Sequence, residues 1–301
     1  MANTRIVTLD LNFQNKTHAI ASYLIRQGNA VVLIESGPGS TLSALEAGLA
    51  AEGLSPRDVT HVLLTHIHLD HAGAAGWLSR QGAEIYVHPI GAPHMLNPEK
   101  LIASATRIYG DRMDTLWGEF LPVAQDQLKV PNDAEEIVIG NLRFLPVNTP
   151  GHAEHHYSYV FEDVCFSGDV GGVRIPGYMY LRAPMPPPEL HFGRWRESLT
   201  RLKGMNFSRI APTHFGIYED VRWHLDKLDT TLAGMEKWLE TVMVRDPSIE
   251  ELRAEFTQWM EEESRMENLS EDTVRAYSLS NPVAMSADGL MRYWKKTRLA
   301  G

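Results

Sequence analysis

The chain has 301 residues, of which 44% are hydrophobic, and this is enough apolar material for a large buried core. Its 28 basic and 38 acidic residues give a formal net charge of -10, and no run of lysine or arginine stands out. We therefore expect neither a nucleic acid nor a membrane as a partner, because phosphate-rich surfaces are bound through basic patches.

Cysteine usage and the amino terminus bear on the compartment. Cys165 is the single cysteine, which excludes an internal disulfide bond and agrees with a reducing environment. The first residues do not resemble a signal peptide, and no stretch approaches the roughly 18 to 20 apolar residues of a membrane span. We expect a cytoplasmic protein, in which the 13 histidines and the carboxylates would have to hold any transition metal.

The first 127 residues alternate strand and helix patterns. Apolar and β-branched runs predict strands at 19–25, 30–35, 61–65 and 84–88. Apolar periodicity predicts helices at 41–52 and 72–81. Residues 89–127 are less regular, with a helical pattern at 101–120, and we interpret them as an insertion that covers part of a site.

From residue 135 the strand pattern returns, and after residue 218 it gives way to a helical tail. Further strands are predicted at 136–139, 142–147, 157–161, 164–167 and 208–212. A Gly- and Pro-rich stretch predicts a long loop at 171–188. Shorter helices are predicted at 192–203, 249–265 and 288–298.

One long helix of the tail carries an apolar stripe with spacings of four and three residues. The stripe consists of Val221, Leu225, Leu228, Leu232, Met235, Leu239 and Val242. We interpret it as a surface that packs on its own domain. A homodimer is the alternative, although the repeat is short for a coiled coil.

The segment from Thr65 to His71 carries the most chemical information. It places His66, His68, Asp70 and His71 directly after a predicted strand, and imidazole and carboxylate groups are suitable ligands for zinc and similar ions. Residues two apart in an extended segment point the same way, so His66 and His68 can reach one ion. Asp70 and His71, at the bend into a helix, would face a second position.

Three further strand ends also present a ligand type. They lead to His152, to Asp169 and to His214. Each would be a weak signal alone, but open α/β folds gather their sites at the carboxyl ends of strands. Four such ends in one chain predict a metal centre.

Together these motifs resemble the metallo-β-lactamase superfamily. Its pattern is T-H-x-H-x-D-H, a glycine-histidine, S-G-D and a final histidine, and the chain reads THIHLDH at 65–71, TPGH at 149–152, FSGD at 166–169 and PTHFG at 212–216. The resemblance implies an α/β fold, an αββα sandwich with two metal ions at one edge. The catalytic domain would span 1–218, and a helical C-terminal extension, 219–301, would cover the active-site mouth.

The resemblance also implies a role for each motif residue. The ligands would be His66, His68 and His152 for one metal, Asp70, His71 and His214 for the second, and Asp169 for both. We expect zinc, with iron or manganese as alternatives, because the same ligands serve all three. Asp70 would also orient a metal-bridging hydroxide and pass a proton to the leaving group.

Charge arithmetic favours hydrolysis at such a centre. Two divalent ions, two aspartates and one hydroxide leave about one positive charge, which suits both hydroxide formation and stabilisation of an anionic intermediate. The sequence resembles the glyoxalase II and lactonase-like branch in carrying Asp169 at this position and in showing no export signal. We predict a hydrolase of a small-molecule ester, lactone or thioester; a phosphodiesterase of small nucleotides or lipids and promiscuous β-lactamase activity are the alternatives.

Five other residues have both a functional and a structural interpretation. Glu35 would hydrogen-bond a ligand imidazole or lie on the surface. His156 is interpreted as a supporting residue rather than a ligand, and His155 as exposed. Tyr178 and Tyr180 would donate to a substrate oxygen, as a tyrosine of this neighbourhood does in lactonase relatives, or would serve packing and loop support.

Overall fold

The computed structural model describes residues 4–297. Two β-sheets of six and five strands lie face to face, and helices cover the outer face of each sheet. The predicted αββα sandwich is confirmed. The carboxyl ends of the strands that carry the motifs meet at one edge of this sandwich.

The first sheet joins an antiparallel half to a parallel half. Its strands, in spatial order, are β1 (Arg5–Asp10), β2 (Ala21–Gln27), β3 (Ala30–Ile34), β4 (His61–Leu63), β5 (Glu84–Tyr86) and β6 (Leu128–Lys129). The strands β1, β2 and β3 pair antiparallel, whereas β3 to β6 pair in parallel. The parallel half directs the ends of β3 and β4 toward the same edge.

The second sheet is mainly antiparallel. Its strands are β7 (Ile137–Ile139), β8 (Leu142–Asn148), β9 (Tyr157–Phe161), β10 (Val164–Phe166) and β11 (Arg209–Ala211). Their spatial order is β11-β10-β9-β8-β7, and β10 and β11 pair in parallel. The ends of β10 and β11 therefore deliver Asp169 and His214 to the same edge.

Side-chain alternation along the strands explains why the sheets stack. In β2, Tyr23 and Ile25 belong to the apolar cluster between the sheets, and Leu24 belongs to the cluster under the helices. In β3, Val32 faces the other sheet and Leu33 faces the helices. Successive residues of a strand point to opposite faces, so one strand supplies both layers of the core.

Six helices follow strands of the first sheet, and five follow the second. The first group is α1 (Leu42–Ala51), α2 (Leu69–Ala72), α3 (Ala75–Gln81), α4 (Ala92–Leu96), α5 (Glu99–Tyr109) and α6 (Met113–Trp117). The second group is α7 (Phe192–Lys203), α8 (Val221–Met243), α9 (Ile249–Met266), α10 (Glu271–Ser280) and α11 (Val283–Thr297). No helix in residues 4–297 has the length and apolar character needed to cross a bilayer.

The helical tail packs on the outer face of the second sheet. The stripe of α8, including Leu228 and Leu232, is buried in one cluster with Trp195 of α7 and Cys165 of β10. The stripe is therefore used within the chain, as the packing interpretation expects, and is not a free surface for a partner. The apolar cluster continues across the predicted boundary at residue 218, and a homodimer stays a prediction.

Several element boundaries differ from the sequence-based expectation. Helix 72–81 is two helices, α2 and α3, because the chain turns at Gly73, where an added Cβ would lie 2.8 Å from Pro38 Cα. The strand β1 and the helix α10 were not predicted, and α11 begins five residues earlier than expected. The last residue of the predicted helix 288–298 lies outside the described residues.

Candidate metal centre

The fold brings all seven predicted ligands to one edge of the sandwich. His66 and His68 lie between β4 and α2, and Asp70 and His71 occupy the first turn of α2. The remaining three follow strands of the second sheet: His152 after β8, Asp169 after β10 and His214 after β11. His68 and Asp70 are partly exposed, and the other five are buried.

Three imidazoles converge in the first group. His68 Nδ1 lies 2.9 Å from His66 Nε2 and 3.0 Å from His152 Nε2. Burial lowers the pKa of all three histidines, and neighbouring imidazoles lower it further for His66 and His68. Neutral imidazoles facing one another in this way present lone pairs to a single point, which is the arrangement a divalent ion requires.

The second group joins two histidines to a carboxylate. Asp70 Oδ2 lies 3.4 Å from His214 Nε2 and 3.6 Å from His71 Nε2. Burial acts to lower the pKa of both histidines, but the carboxylates of Asp70 and Asp169 raise that of His71 well above its usual range and that of His214 to about 10. Burial acts to raise the pKa of Asp70, but the two histidines bring it down to about 2. The group thus favours positive charge at this position.

Asp169 lies between the two groups. Its Oδ2 is 3.3 Å from His152 Nε2. Its Oδ1 is 3.3 Å from His71 Nε2 and 3.2 Å from His214 Nε2. One oxygen therefore faces each group, as a bridging carboxylate requires.

Buried polar atoms without hydrogen-bond partners test whether the site fits metal ions. In the described part of the chain, His71 Nε2, His214 Nε2 and Asp169 Oδ1 are such atoms. Buried nitrogen and oxygen atoms are nearly always satisfied, so three orphans at one point need a further partner. The ligand atoms of each group lie within 4.8 Å of one another, as do those of Glu35, His66 and His71, so the residues of the two predicted groups fit two divalent ions.

In four of the predicted histidine ligands, the ring nitrogen on the side away from the other ligand atoms, Nδ1, contacts another atom of the protein. The contacts are His66 Nδ1 to Thr65 Oγ1 at 3.0 Å, His71 Nδ1 to Glu35 Oε1 at 3.0 Å, His152 Nδ1 to Pro184 O at 2.8 Å, and His214 Nδ1 to Ala19 O at 2.7 Å. Contacts of this kind fix the orientation of a ligand ring. Ser280 Oγ also donates to Ala19 O, at 2.9 Å, so the tail touches one of these carbonyls.

Glu35 contacts the imidazole of His71, and a contact of this kind was one of the two roles expected for it. It is fully buried at the end of β3, with φ of 69°, and it also accepts from Thr65 N at 3.2 Å, from the Thr65 hydroxyl, and from Thr213 Oγ1 at 3.0 Å. The sequence analysis missed both threonines. Their position directly before His66 and His214 was the available signal.

The neighbouring histidines differ from each other. His156 is buried with Nδ1 2.9 Å from Thr149 Oγ1, and it belongs to neither group of converging ligand atoms. The expectation that His155 is exposed was wrong, because its side chain is buried with Nε2 3.4 Å from Glu189. Burial lowers the pKa of His155 to about 3, so this imidazole is neutral.

Tyr178 and Tyr180 do not reach the metal centre. The Tyr178 hydroxyl accepts from Thr273 Oγ1 at 2.8 Å, and the buried Tyr180 ring packs edge-on against Tyr277 with centroids 5.1 Å apart. Neither residue lines the cavity beside the ligands. Both side chains fasten the 171–188 loop to α10, as the packing and loop-support interpretation expects, and contact with a substrate stays a prediction.

A cavity of about 770 Å³ opens onto Asp70, Asp169 and His214. Its walls come from α5 and α6, from the loop 184–189, and from residues 278–288 of the tail. The insertion and the tail therefore both contribute to the site. A cavity of this size is typical of small-molecule sites.

Comparisons with known proteins agree with this arrangement. Residues 16–214 match the family model described as the metallo-beta-lactamase superfamily. The chain therefore belongs to the metallo-β-lactamase superfamily, whose members are largely hydrolases. A metallo-beta-lactamase family protein from Thermus thermophilus has the same fold, with a TM-score of 0.70 at 20% identity over 98% of this chain and 94% of that one.

Among curated relatives, a metallo-beta-lactamase fold-containing protein of Sulfurisphaera tokodaii is 31% identical over 52% of this chain and 60% of its own length. A hydroxyacylglutathione hydrolase of Xylella fastidiosa is 29% identical over 47% of this chain and 41% of its own. An atrochrysone carboxyl ACP thioesterase of Aspergillus fumigatus is 23% identical over 71% and 42%. The chain spans about two fifths to three fifths of these relatives.

Proposed function

We propose that the protein is a dinuclear metal-dependent hydrolase of ester, lactone or thioester carbonyls, with zinc as the metal. The position of Asp169 carries this proposal. One carboxylate oxygen lies 3.3 Å from a histidine of the first group, and the other lies within 3.3 Å of both histidines of the second. His66, His68 and His152 would hold one ion, Asp70, His71 and His214 the other, and Asp169 both.

The chemistry follows from what such a centre supplies. Two bound divalent ions would lower the pKa of water and place positive charge opposite the carbonyl oxygen. Water adds to the carbonyl carbon, the C–O or C–S bond breaks, one proton goes to the departing alkoxide or thiolate, and the carboxylic acid formed releases the second. Lactones undergo the same change with ring opening.

Asp70 is suited to move the proton. Its side chain is 20% exposed toward the cavity, against 4% for Asp169. Its Oδ2 faces His71 and His214, and the partly exposed carboxylate would accept a proton from water in the cavity and return it to the leaving group.

The substrate preference rests on the cavity and on the relatives. The cavity wall is largely apolar, which suits an acyl group. Two relatives are named as a hydroxyacylglutathione hydrolase and an ACP thioesterase. These observations favour a carbonyl over a phosphodiester, and a phosphodiesterase or a β-lactamase is the competing outcome of the test below.

Metal analysis and a substrate panel test the proposal. We expect two zinc ions per chain, and chelator-sensitive turnover of a thioester, an aryl ester or a lactone that exceeds turnover of bis-p-nitrophenyl phosphate and a cephalosporin. Full activity with fewer than two ions would contradict the dinuclear site. Fast phosphodiester or cephalosporin turnover beside inert carbonyl substrates would contradict the reaction class.

Exchange of Asp70 tests the proton transfer separately. Asp70→Asn removes the base, and we expect kcat to fall about 10²- to 10⁴-fold at saturating zinc. Metal content is measured in the same samples, because Asp70 is also a proposed ligand. A variant that holds both ions and keeps full turnover would exclude this role.

A further inference from the structure

The cavity beside the metal centre is larger than a short-chain ester needs. Its volume of about 770 Å³ lies in the upper part of the range, roughly 300 to 1,000 Å³, of small-molecule sites. It extends from Asp70 along α5 and α6 to Met285 in the tail. Most of this space lies away from the scissile bond and is available to the rest of the substrate.

One side of the cavity is apolar and partly open to solvent. Leu101, Ile108 and Trp117 line it from the insertion, and Ile90 lines it from the segment before α4. Ile90 is 51% exposed and Ile108 is 43% exposed. Large aliphatic side chains left in contact with water beside a cavity mark a surface that an apolar ligand covers.

Two cations of the same wall have no protein partner. Lys100 and Arg112 line the cavity and are exposed, and neither makes an ion pair or hydrogen bond within residues 4–297. Arg253 also lines the cavity, but Asp288 binds it at 2.7 and 2.8 Å. Glu189 of the lining lies 3.4 Å from a histidine nitrogen. That histidine, His155, is neutral, so Glu189 on the 184–189 loop keeps its negative charge, whereas the charged lining residues of the insertion, Lys100 and Arg112, are both positive.

Tyr109, the last residue of α5, also lines the cavity. Its hydroxyl donates to Met285 Sδ at 3.2 Å, and its ring meets Trp117 edge-on with centroids 5.0 Å apart. Burial and the charge of Asp70 raise the pKa of Tyr109, and Arg112 opposes them. Asp70 and Arg112 thus both act on the phenol, and Leu101, Ile108 and Trp117 supply apolar lining from the same insertion.

We propose, on the basis of the proposed function, that the substrate is an anionic amphiphile: an acyl ester or thioester with a negatively charged group remote from the scissile carbonyl. The apolar part lies along Ile108 and Trp117, and the anion reaches Lys100 and Arg112. The charge sits either on the far end of the acyl chain or on the leaving group, and both sources present the same chemistry to the wall.

Two matched substrate pairs test this assignment. One pair is p-nitrophenyl decanoate and mono-p-nitrophenyl decanedioate; the other is decanoyl-N-acetylcysteamine and decanoyl-coenzyme A. An exposed ion pair changes affinity by about two- to fivefold, and two cations face the anion, so we expect the charged member of one pair to have a KM lower by roughly four- to 25-fold. A preference in the first pair assigns the charge to the acyl end, and one in the second assigns it to the leaving group.

Variants of the wall connect the preference to these cations. Lys100→Met combined with Arg112→Met should abolish it, with a loss of kcat/KM that is several-fold larger on the charged than on the neutral member of the pair. Arg107→Met is the matched control, because Arg107 is exposed on α5 but does not line the cavity, and it should keep the preference. No charge preference in either pair, or equal losses on neutral and charged substrates, would overturn the inference.

Calorimetric binding of 1-decanesulfonate and 1-decanol separates this inference from the proposed function. We expect the wild type to bind the sulfonate more tightly, and the double variant to lose that difference. Charge-selective binding without hydrolysis of any carbonyl substrate would support the ligand class and reject the proposed function. Hydrolysis without charge selectivity in substrates or probes would leave the function standing and reject the ligand class.

Discussion

Glu35 connects the interior of the sandwich to His71, a proposed metal ligand. Its carboxylate is fully buried, receives hydrogen bonds from Thr65 and Thr213, and contacts His71 Nδ1. A buried carboxylate held by three donors cannot move without breaking them. It therefore fixes the direction in which His71 Nε2 points.

We expect Glu35→Gln to weaken binding of one of the two metal ions. The amide keeps the shape but removes the charge that supports the His71 imidazole, and loss of such a partner lowers metal affinity about 10- to 100-fold. Competition with a chromophoric chelator measures both affinities. Glu52→Gln is the control, since Glu52 pairs with Arg5 on the surface. Two unchanged affinities would contradict the role of Glu35.

A second residue, His224, makes the stability of the folded chain depend on pH. It is fully buried in α8, with Nε2 2.7 Å from Gly171 O, and burial lowers its pKa from 6.5 to about 4. The unfolded chain then binds a proton more readily than the folded chain. Stability associated with His224 is complete above pH 6.5 and is lost as the pH falls toward about 4.

Between pH 7.5 and 5, His224 should account for a loss of about 2 kcal/mol in the free energy of unfolding. Urea unfolding of the wild type and of His224→Gln at both pH values measures this share, because glutamine keeps a donor for Gly171 O but does not titrate there. Identical pH dependence in the two proteins would show that the pKa of His224 in the folded chain is the ordinary one.

At the level of secondary-structure elements, the sequence predicted the strands and helices whose apolar residues repeat with a clear period. The strands β2, β3, β8 and β9 and the helix α7 were placed correctly, because long runs of one period leave little choice. Helix α10 was missed since it buries only Thr273 and Tyr277 and begins from a cap at Ser270. A short polar helix carries almost no periodic signal.

At the candidate metal centre, too, some residues were predicted from the sequence and others could not be. The seven proposed ligands were predicted because they follow strand ends as recognisable side chains and match the motif order of the metallo-β-lactamase superfamily. The carbonyls of Ala19 and Pro184, which hold two of the imidazoles, could not be predicted, since every residue has a carbonyl. Tyr109 was not singled out for the cavity wall because only the folding of the insertion brings it there.

Gly289 of α11 tests how closely the tail packs on the loop that holds His152. A Cβ at this position would lie 1.9 Å from Met185 O, next to the Pro184 carbonyl. Gly289→Ala should therefore lower the Tm and weaken zinc binding. Gly234→Ala in α8 is the control, because no atom lies within 4 Å of the added Cβ, and it should stabilise the fold by up to about 1 kcal/mol. Equal effects of the two variants would show that the loop yields freely.

On the scale of the whole molecule, the tail and the second sheet share one hydrophobic core. Leu225, Leu228, Leu232 and Leu239 of α8 are almost completely buried in the cluster that contains Trp195. Each such side chain contributes about 1.5 to 3 kcal/mol, and a folded domain is stable by only about 5 to 15 kcal/mol. We therefore expect residues 4–218 to depend on the tail for their stability.

A chain that ends at residue 218 should fail to fold. Removal of α8 to α11 exposes the outer face of the second sheet, including Cys165 and Trp195. We expect the fragment to be insoluble, or soluble without a cooperative thermal transition in circular dichroism. A soluble fragment that unfolds cooperatively and binds zinc would show that the predicted boundary at 218 separates independent domains.

The hydrogen bond from Ser280 to Ala19 O has a thermodynamic consequence. That carbonyl also holds His214 Nδ1, and Asn281 Nδ2 donates to Ala183 O, beside the carbonyl that holds His152. Docking of the tail and binding of the ions therefore share the same groups. Coupling between two equilibria is reciprocal, so whatever free energy the ions gain from a docked tail, the tail gains from bound ions. The helical extension would in this sense support metal binding, although none of the proposed ligand atoms belongs to it.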